Sequence, residues 1–250
     1  MIKIAYVNQS TLIGDADVQA IMAAIQRQAD QDVFPIFGLK TQRLFLPKNF
    51  SPAAGVWELV FADTSDQAGA LGYHETTVNG DPIGFVFVKD TMGAGLSVGV
   101  TASHEDLEMC GDPDIQTCET QDLADGSSTL RMKEWCDACE DDSFGYAKVN
   151  PATGKLFVAP SDGKVILVSD FVLPAYWNQN APRGPYDFRG HITAPLQILP
   201  GGYMGVRTVP AADAWTQVQA DGHPGGKPMR RFNRRARRLL HHTTWRRSER

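Results

Sequence analysis

The sequence predicts an α+β domain over residues 1–221, followed by a linker and a basic tail over residues 222–250. Short strand-type alternations are mixed with helical spacings, which is typical of this fold class. With 42% hydrophobic and 21% charged residues, the 250-residue chain can build a core, which excludes a wholly disordered or collagen-like protein. Charge separates the two parts: residues 226–250 hold ten Lys or Arg and one acid, against 14 basic and 28 acidic residues before them.

The first 115 residues predict strands and two helices. Apolar residues alternate in the strand segments, which cover residues 2–7, 43–45, 56–62, 73–77 and 83–89. Asp15 caps a helix whose apolar residues recur at helical spacing, and residues 33–37 form a connector because they contain Pro35. Asn79-Gly80 predicts a hairpin turn. A second helix covers residues 94–110, because Gly111 and then Pro113 provide a stop signal.

The second half predicts loops and short strands. Residues 114–142 are acidic and loop-like, and short strands follow at 156–159, 165–168 and 192–199. Residues 211–219 form a short helix or strand, and residues 222–228 form a linker rich in Gly and Pro. No internal repeat is evident.

The sequence also bears on location. No apolar run reaches the roughly 18 residues that a membrane span needs. The N-terminal segment lacks the long apolar region of a signal peptide. We therefore expect no signal peptide and no membrane span, and a cytoplasmic or virion-associated protein.

The most informative motif is His104-Glu105-x-x-Glu108 on the second predicted helix. His104 and Glu108 are four residues apart, so both side chains project from one helix face, with Glu105 beside them. Two metal ligands one turn apart, with a Glu that takes a proton from water on the metal, is the arrangement of zinc-protease helices. The same string also occurs on solvated charged helices. Residues 91–103 carry no charge, however, which indicates burial, and these acids would be costly to bury without a cation.

With Gly111 and Asp114 at the following offsets, the motif resembles the metzincin clan of zinc metallopeptidases, although Glu108 stands where that clan has a second His. The segments SHEDLEMCGDP and CDACE resemble uncharacterised zincin-like proteins of phages and bacteria. The resemblance covers about residues 1–200 and implies a zincin-like mixed, twisted sheet with an active-site helix. It implies Zn²⁺ bound by His104, Glu108 and a third ligand, with Glu105 as the catalytic base. Asp114 is the third ligand by metzincin spacing, and Asp112 and Glu140 are alternatives.

Four cysteines lie within thirty residues: Cys110, Cys118, Cys136 and Cys139. Together they could form a four-thiolate zinc site, since Cys136 and Cys139 have the C-x-x-C spacing. Seven residues separate the other two, which is outside the usual spacing, so disulfides or buried thiols remain open.

The tail predicts a partner with negative charge. Its closely spaced bases release counterions from phosphates, so nucleic acid is one partner and an acidic protein surface is another. A disordered solubilising tail is the alternative. The bases that define it are Arg230, Arg231, Arg234, Arg235, Arg237 and Arg238.

Two functions follow. The first is a zinc-dependent metallopeptidase-like hydrolase, which acts on a peptide or protein. The alternative is a catalytically inactive zincin scaffold that serves as a virion-associated or nucleic-acid-associated structural protein through its tail. His74, on a predicted strand near the motif, either lines the cleft or is a hydrogen-bonded structural histidine.

Overall fold

The structure, a computed structural model, describes residues 1–48, 50–181, 183–210 and 214–220. It has a mixed α/β architecture with few helices, consistent with the predicted α+β class. The predicted linker and the six tail arginines, Arg230 to Arg238, lie outside the described residues. Within these residues, no helix is both long enough and apolar enough to cross a membrane.

A five-stranded sheet forms the first half, with strand order β2-β1-β3-β5-β4. Four strands are parallel and only β4, at one edge, is antiparallel. The strands are β1 (Ile2–Asn8), β2 (Thr41–Leu46), β3 (Trp57–Ala62), β4 (Gly72–Thr76) and β5 (Pro82–Phe87). All five predicted strand segments of this half are therefore confirmed, and β4 and β5 form the hairpin that Asn79-Gly80 predicts.

Helices pack against this sheet. They are α1 (Asp15–Gln28), which continues through a π-helical turn (Ala29–Val33) into α2 (Phe34–Phe37), then α3 (Val88–Gly93) and α4 (Val98–Gly111). The second predicted helix begins later than expected, because Gly95 has a positive φ of 78° and separates α3 from α4. The Ser97 hydroxyl then caps α4 by accepting from the Val100 amide. The predicted end at Gly111 is confirmed.

The second half is built from short strands. An antiparallel sheet of order β11-β10-β7-β6 contains β6 (Cys118–Asp122), β7 (Ser128–Met132), β10 (Tyr203–Val209) and β11 (Thr216–Gln219), and β8 (Tyr146–Ala147) pairs with β9 (Leu167–Val168). Residues 114–142 are thus not all loop, as predicted, because β6 and β7 form a hairpin. The strand predicted over 192–199 is also wrong, because the Gln197 side chain accepts from the amides of Thr193 and Ala194 and holds a turn.

Buried polar contacts fix α4 inside the domain. All residues of this helix from Gly99 to Cys110 are buried. On the face towards β1 and β2, the Asp106 carboxylate accepts from the Tyr6 hydroxyl at 2.8 Å and pairs with the guanidinium of Arg43. On a neighbouring face, the Ser103 hydroxyl donates to Gln28 at 2.7 Å and accepts from the Ser169 amide at 3.0 Å. These contacts fix the orientation of α4. The face that carries His104 and Glu108 therefore points away from Asp106 and Ser103.

Candidate metal centre

One face of α4 presents the residues of the predicted motif together. The Nε2 atom of His104 lies 3.0 Å from Oε1 of Glu108, one helical turn further on. Glu105 lies beside them, and all three residues are no more than 5% exposed. The predicted pair is therefore brought together, in a buried site rather than on a solvated charged surface.

The segment after β7 supplies further donors to this face. The indole of Trp135 stacks on Phe37 with ring centroids 3.9 Å apart, and it covers Gly111 so closely that a Cβ there would lie 2.6 Å from the ring. Asp137 follows, and its Oδ1 lies 3.3 Å from Nε2 of His104. The sulfur of Cys136 lies within 4.8 Å of the ligand atoms of His104 and Glu108. The absent side chain of Gly111 thus lets the segment approach α4.

The edge strand β4 contributes His74 to the same place. Its Nδ1 lies 3.7 Å from Oε2 of Glu105 and 3.6 Å from Oε2 of Glu108. The strand can come this near because it begins with a glycine: a Cβ on Gly72 would lie 2.5 Å from Oε1 of Glu105. We call His74, His104, Glu105, Glu108 and Asp137 the α4 group.

Burial and proximity shift the pKa values in the α4 group in opposite directions. Burial raises the pKa of Glu105, and burial together with the charge of Glu108 raises that of Asp137. Glu108 is also buried, but His104 and His74 outweigh the burial and lower its pKa. Burial opposes the charged imidazole of His104, yet Glu108 and Asp137 raise its pKa. The group is therefore short of positive charge.

Several ligand atoms of the α4 group are buried, and apart from the group's own imidazoles they have no hydrogen-bond partner among the described residues. They are His74 Nε2, His104 Nδ1, Glu105 Oε2, Glu108 Oε1 and Asp137 Oδ1. An unsatisfied buried polar atom costs about 1–3 kcal/mol, and more when the group is charged. The residues fit a metal, because a tetrahedral zinc with bonds of about 2.0–2.2 Å separates its ligand atoms by roughly 3.3 Å. Two subsets could hold an ion: His104, Glu108 and Cys136, and His74, Glu105 and Glu108.

The third ligand predicted from spacing lies elsewhere. Asp114 is exposed in the turn after α4 and belongs to neither subset. Asp112 is buried, but its carboxylate accepts from the amides of Gln116 and Thr117 and so holds that turn. Glu140 lies near enough for His104 to act on its pKa, which burial raises, yet it is in neither subset. The third member of the subset around His104 is Cys136, while Asp137 lies 3.3 Å from Nε2 of His104 and belongs to neither subset.

The cysteines do not gather into a site of their own. None of Cys110, Cys118, Cys136 and Cys139 forms a disulfide. Among the described residues, no subset able to hold a metal contains more than one of them, so a four-thiolate zinc site is not present there. Cys136 alone joins a subset, together with the α4 ligands. The remainder of the predicted cysteine cluster therefore contributes thiols rather than a metal cage.

A third subset that could hold an ion comprises Asp170, Asp187 and His191, which we call the loop group. The Nδ1 atom of His191 lies 3.3 Å from Oδ2 of Asp170 and 3.5 Å from Oδ2 of Asp187. Both carboxyl groups are fully buried, whereas the histidine is 38% exposed. Sequence reasoning missed this group, because its members are spread over loops without motif spacing.

Sequence reasoning also missed Asp137 as a ligand candidate, although the clustered CDACE segment could have indicated it.

No protein-family model, no curated protein and no solved structure matches this chain.

Proposed function

We propose that the chain is a zinc-dependent, metallopeptidase-like hydrolase that cleaves a peptide bond. The observation that carries this proposal is the convergence of ligand atoms of His104, Glu108 and Cys136 within 4.8 Å, with Asp137 3.3 Å from His104 and, in the described part of the chain, no hydrogen-bond partner for the buried oxygens besides the group's own imidazoles. Burying such a set is costly unless a cation compensates it. An imidazole with carboxylate oxygens, and a thiol nearby, is a donor set that suits zinc.

In this proposal, His104 and Glu108 hold the cation and Asp137 or Cys136 completes the set. When bound there, a divalent cation polarises a carbonyl oxygen and makes a neighbouring water more acidic. Glu105 lies on the same helix face, and its Oε2 has no donor in the described structure. Because burial raises its pKa, Glu105 is suited to accept a proton from the attacking water and to return it to the leaving amine.

The order of elements supports the choice of a zincin-like fold. A strand, a helix and further strands precede the helix that carries the motif, as the metzincin resemblance implies. The sheet is mixed, and its antiparallel edge strand β4 lies directly against the motif face. The resemblance of the His104–Gly111 segment to peptidases is what favours a peptide bond over other hydrolysable groups.

Two variants test the proposal. Replacing Glu105 with Gln should lower the hydrolysis of a peptide library by about 10²–10⁴-fold, the usual contribution of a general base, while elemental analysis still finds bound zinc. Replacing His104 with Ala should abolish hydrolysis and lower the amount of bound zinc. His191→Ala, in the loop group, is the matched control and should retain both. Hydrolysis that resists chelators, or that survives Glu105→Gln, contradicts the mechanism and favours an inactive scaffold.

A further inference from the structure

A second set of metal-ligating atoms lies on the β4 side of the α4 group. Nδ1 of His74 faces Oε2 of Glu105 and Oε2 of Glu108 at 3.7 and 3.6 Å, and one ligand atom from each residue lies within 4.8 Å of the others. The His74 side chain is 6% exposed, and Oε2 of Glu105, which is aimed at it, has no hydrogen-bond partner. No backbone amide of the described residues donates to this oxygen, and Nδ1 of His74, at 3.7 Å, is too far away for a hydrogen bond.

Glu108 connects this set to the first one. Its Oε1 lies 3.0 Å from Nε2 of His104, whereas its Oε2 lies 3.6 Å from Nδ1 of His74. The two oxygens of one carboxylate thus point to different histidines. A carboxylate in this position can bridge two cations without moving either histidine.

Charge also favours more than one cation. Glu105, Glu108 and Asp137 are all buried, and in the described part of the chain only the two imidazoles lie within ion-pair distance of them. One divalent cation offsets two of these three carboxylates. A second offsets the third, and the surplus is small because Glu140 lies close to the group.

We propose that His74, Glu105 and Glu108 form a second divalent-cation site that shares Glu108 with the first and inhibits hydrolysis when it is filled. The inference rests on the proposed function, in which Glu105 is the base. A cation on Oε2 of Glu105 occupies the lone pair that would accept the proton. One imidazole and two carboxylates suit Zn²⁺ and other divalent first-row transition metals.

A zinc titration of the metal-free full-length protein tests this site, with calorimetry for stoichiometry and peptide hydrolysis for rate. We expect two equivalents of zinc to bind at the α4 group. The rate should rise with the first and fall by about 10²-fold as the second saturates, the size of the loss of a general base. One equivalent with an undiminished rate in excess zinc overturns the inference but leaves the proposed function intact. No bound zinc, or no hydrolysis at any zinc level, overturns the proposed function instead.

Histidine variants locate the second equivalent. His74→Phe keeps a planar ring without nitrogens and should bind one equivalent, with equal rates at one and at five equivalents of zinc. His191→Ala should bind two, as the wild type does. A second equivalent that persists in His74→Phe, or that disappears in His191→Ala, places the ion elsewhere and refutes the site. Should His74→Phe fail to fold by circular dichroism, His74→Gln serves instead, and unchanged affinity for the second equivalent in that variant refutes the site equally.

Discussion

The α4 group and the loop group are both buried clusters of acids and histidine, but they differ in how their oxygens are satisfied. In the loop group, Asp170 Oδ1 accepts from the amides of Phe171 and Arg189, and the two oxygens of Asp187 accept from the amides of Ile192 and His191. In the α4 group, one oxygen each of Glu105, Glu108 and Asp137 is buried and accepts from no backbone amide, and of the described residues only the group's own imidazoles lie near these oxygens. Backbone amides therefore stabilise one cluster and are missing from the other.

This difference shows that the proximity of acids is a weak indication of a metal site. Ligand atoms that receive no hydrogen bond from the backbone are a stronger indication. In both clusters, ligand atoms from three residues lie within 4.8 Å of one another. The loop group can exist without a cation, because backbone amides donate to its carboxylate oxygens and because burial, with the adjacent Asp187, raises the pKa of Asp170. The α4 group lies against a helix whose amides are already used within the helix, so its carboxylates depend on a cation.

Removal of metal should have the largest effect and should act through the α4 group alone. With free zinc about a thousandfold above Kd, binding adds about 4 kcal/mol to the free energy of unfolding. For a chain of this size, a chelator is then expected to lower Tm by roughly 10 °C. Differential scanning calorimetry with zinc and with excess chelator measures the difference.

Variants of the two groups show which group causes the decrease in Tm. His104→Ala should reduce the chelator effect strongly, and His191→Ala should keep it in full. The reverse pattern would show that the loop group holds the metal and that backbone satisfaction is not the deciding property.

A glycine variant should give an intermediate effect by displacing the third ligand. A Cβ on Gly111 would lie 2.6 Å from the Trp135 ring, so Gly111→Ala forces the segment that carries Asp137 away from α4. Overpacking of this kind costs about 1–3 kcal/mol, and we expect weaker zinc binding as well. Chemical denaturation and zinc calorimetry measure the two effects.

Gly93, at the end of α3, is the matched control, because a Cβ there would meet nothing within 4 Å. Gly93→Ala should change the free energy of unfolding by less than about 1 kcal/mol and leave zinc binding unchanged. Equal zinc affinity in Gly111→Ala would show that the Trp135 segment does not supply a ligand.

Local patterns account for what the sequence could predict. The alternation in β1, β3 and β5 reports burial within one strand, and the spacing of His104 and Glu108 is set by a single helix. The hairpin of β6 and β7 was missed because its residues are largely polar, although Asp125-Gly126 at its tip is a turn signal.

The position of Asp137 beside His104 could not be predicted, because it depends on contacts between distant segments. Asp137 reaches His104 only since Trp135 stacks on Phe37, about a hundred residues earlier, and covers Gly111. Spacing along the helix pointed instead to Asp114, where the exposed turn directs the chain away from the α4 group. His74 depends likewise on the antiparallel pairing of β4 with β5 and on the close approach at Gly72.

The last comparison concerns the proton of the loop group. Burial, with the adjacent Asp187 carboxyl, raises the pKa of Asp170 from 3.8 to about 8. Between these values the folded protein holds a proton that the unfolded chain has released, so this group's stabilisation is complete below pH 3.8 and is lost as pH rises through about 8. Asp170→Asn imitates the protonated carboxyl, since its amide can donate to Asp187 and its oxygen can accept from Phe171.

For zinc-loaded protein, Asp170→Asn should therefore be more stable than wild type in chemical denaturation at pH 6, and more stable by a larger margin at pH 9. His191 faces both carboxyl groups, so His191→Ala is measured in parallel to separate the effect of the imidazole from that of the proton on Asp170. A variant less stable than wild type at pH 9 would mean that the folded protein stabilises the charged Asp170 carboxylate. The loop group would then need a cation as the α4 group does, and the distinction between the two would fail.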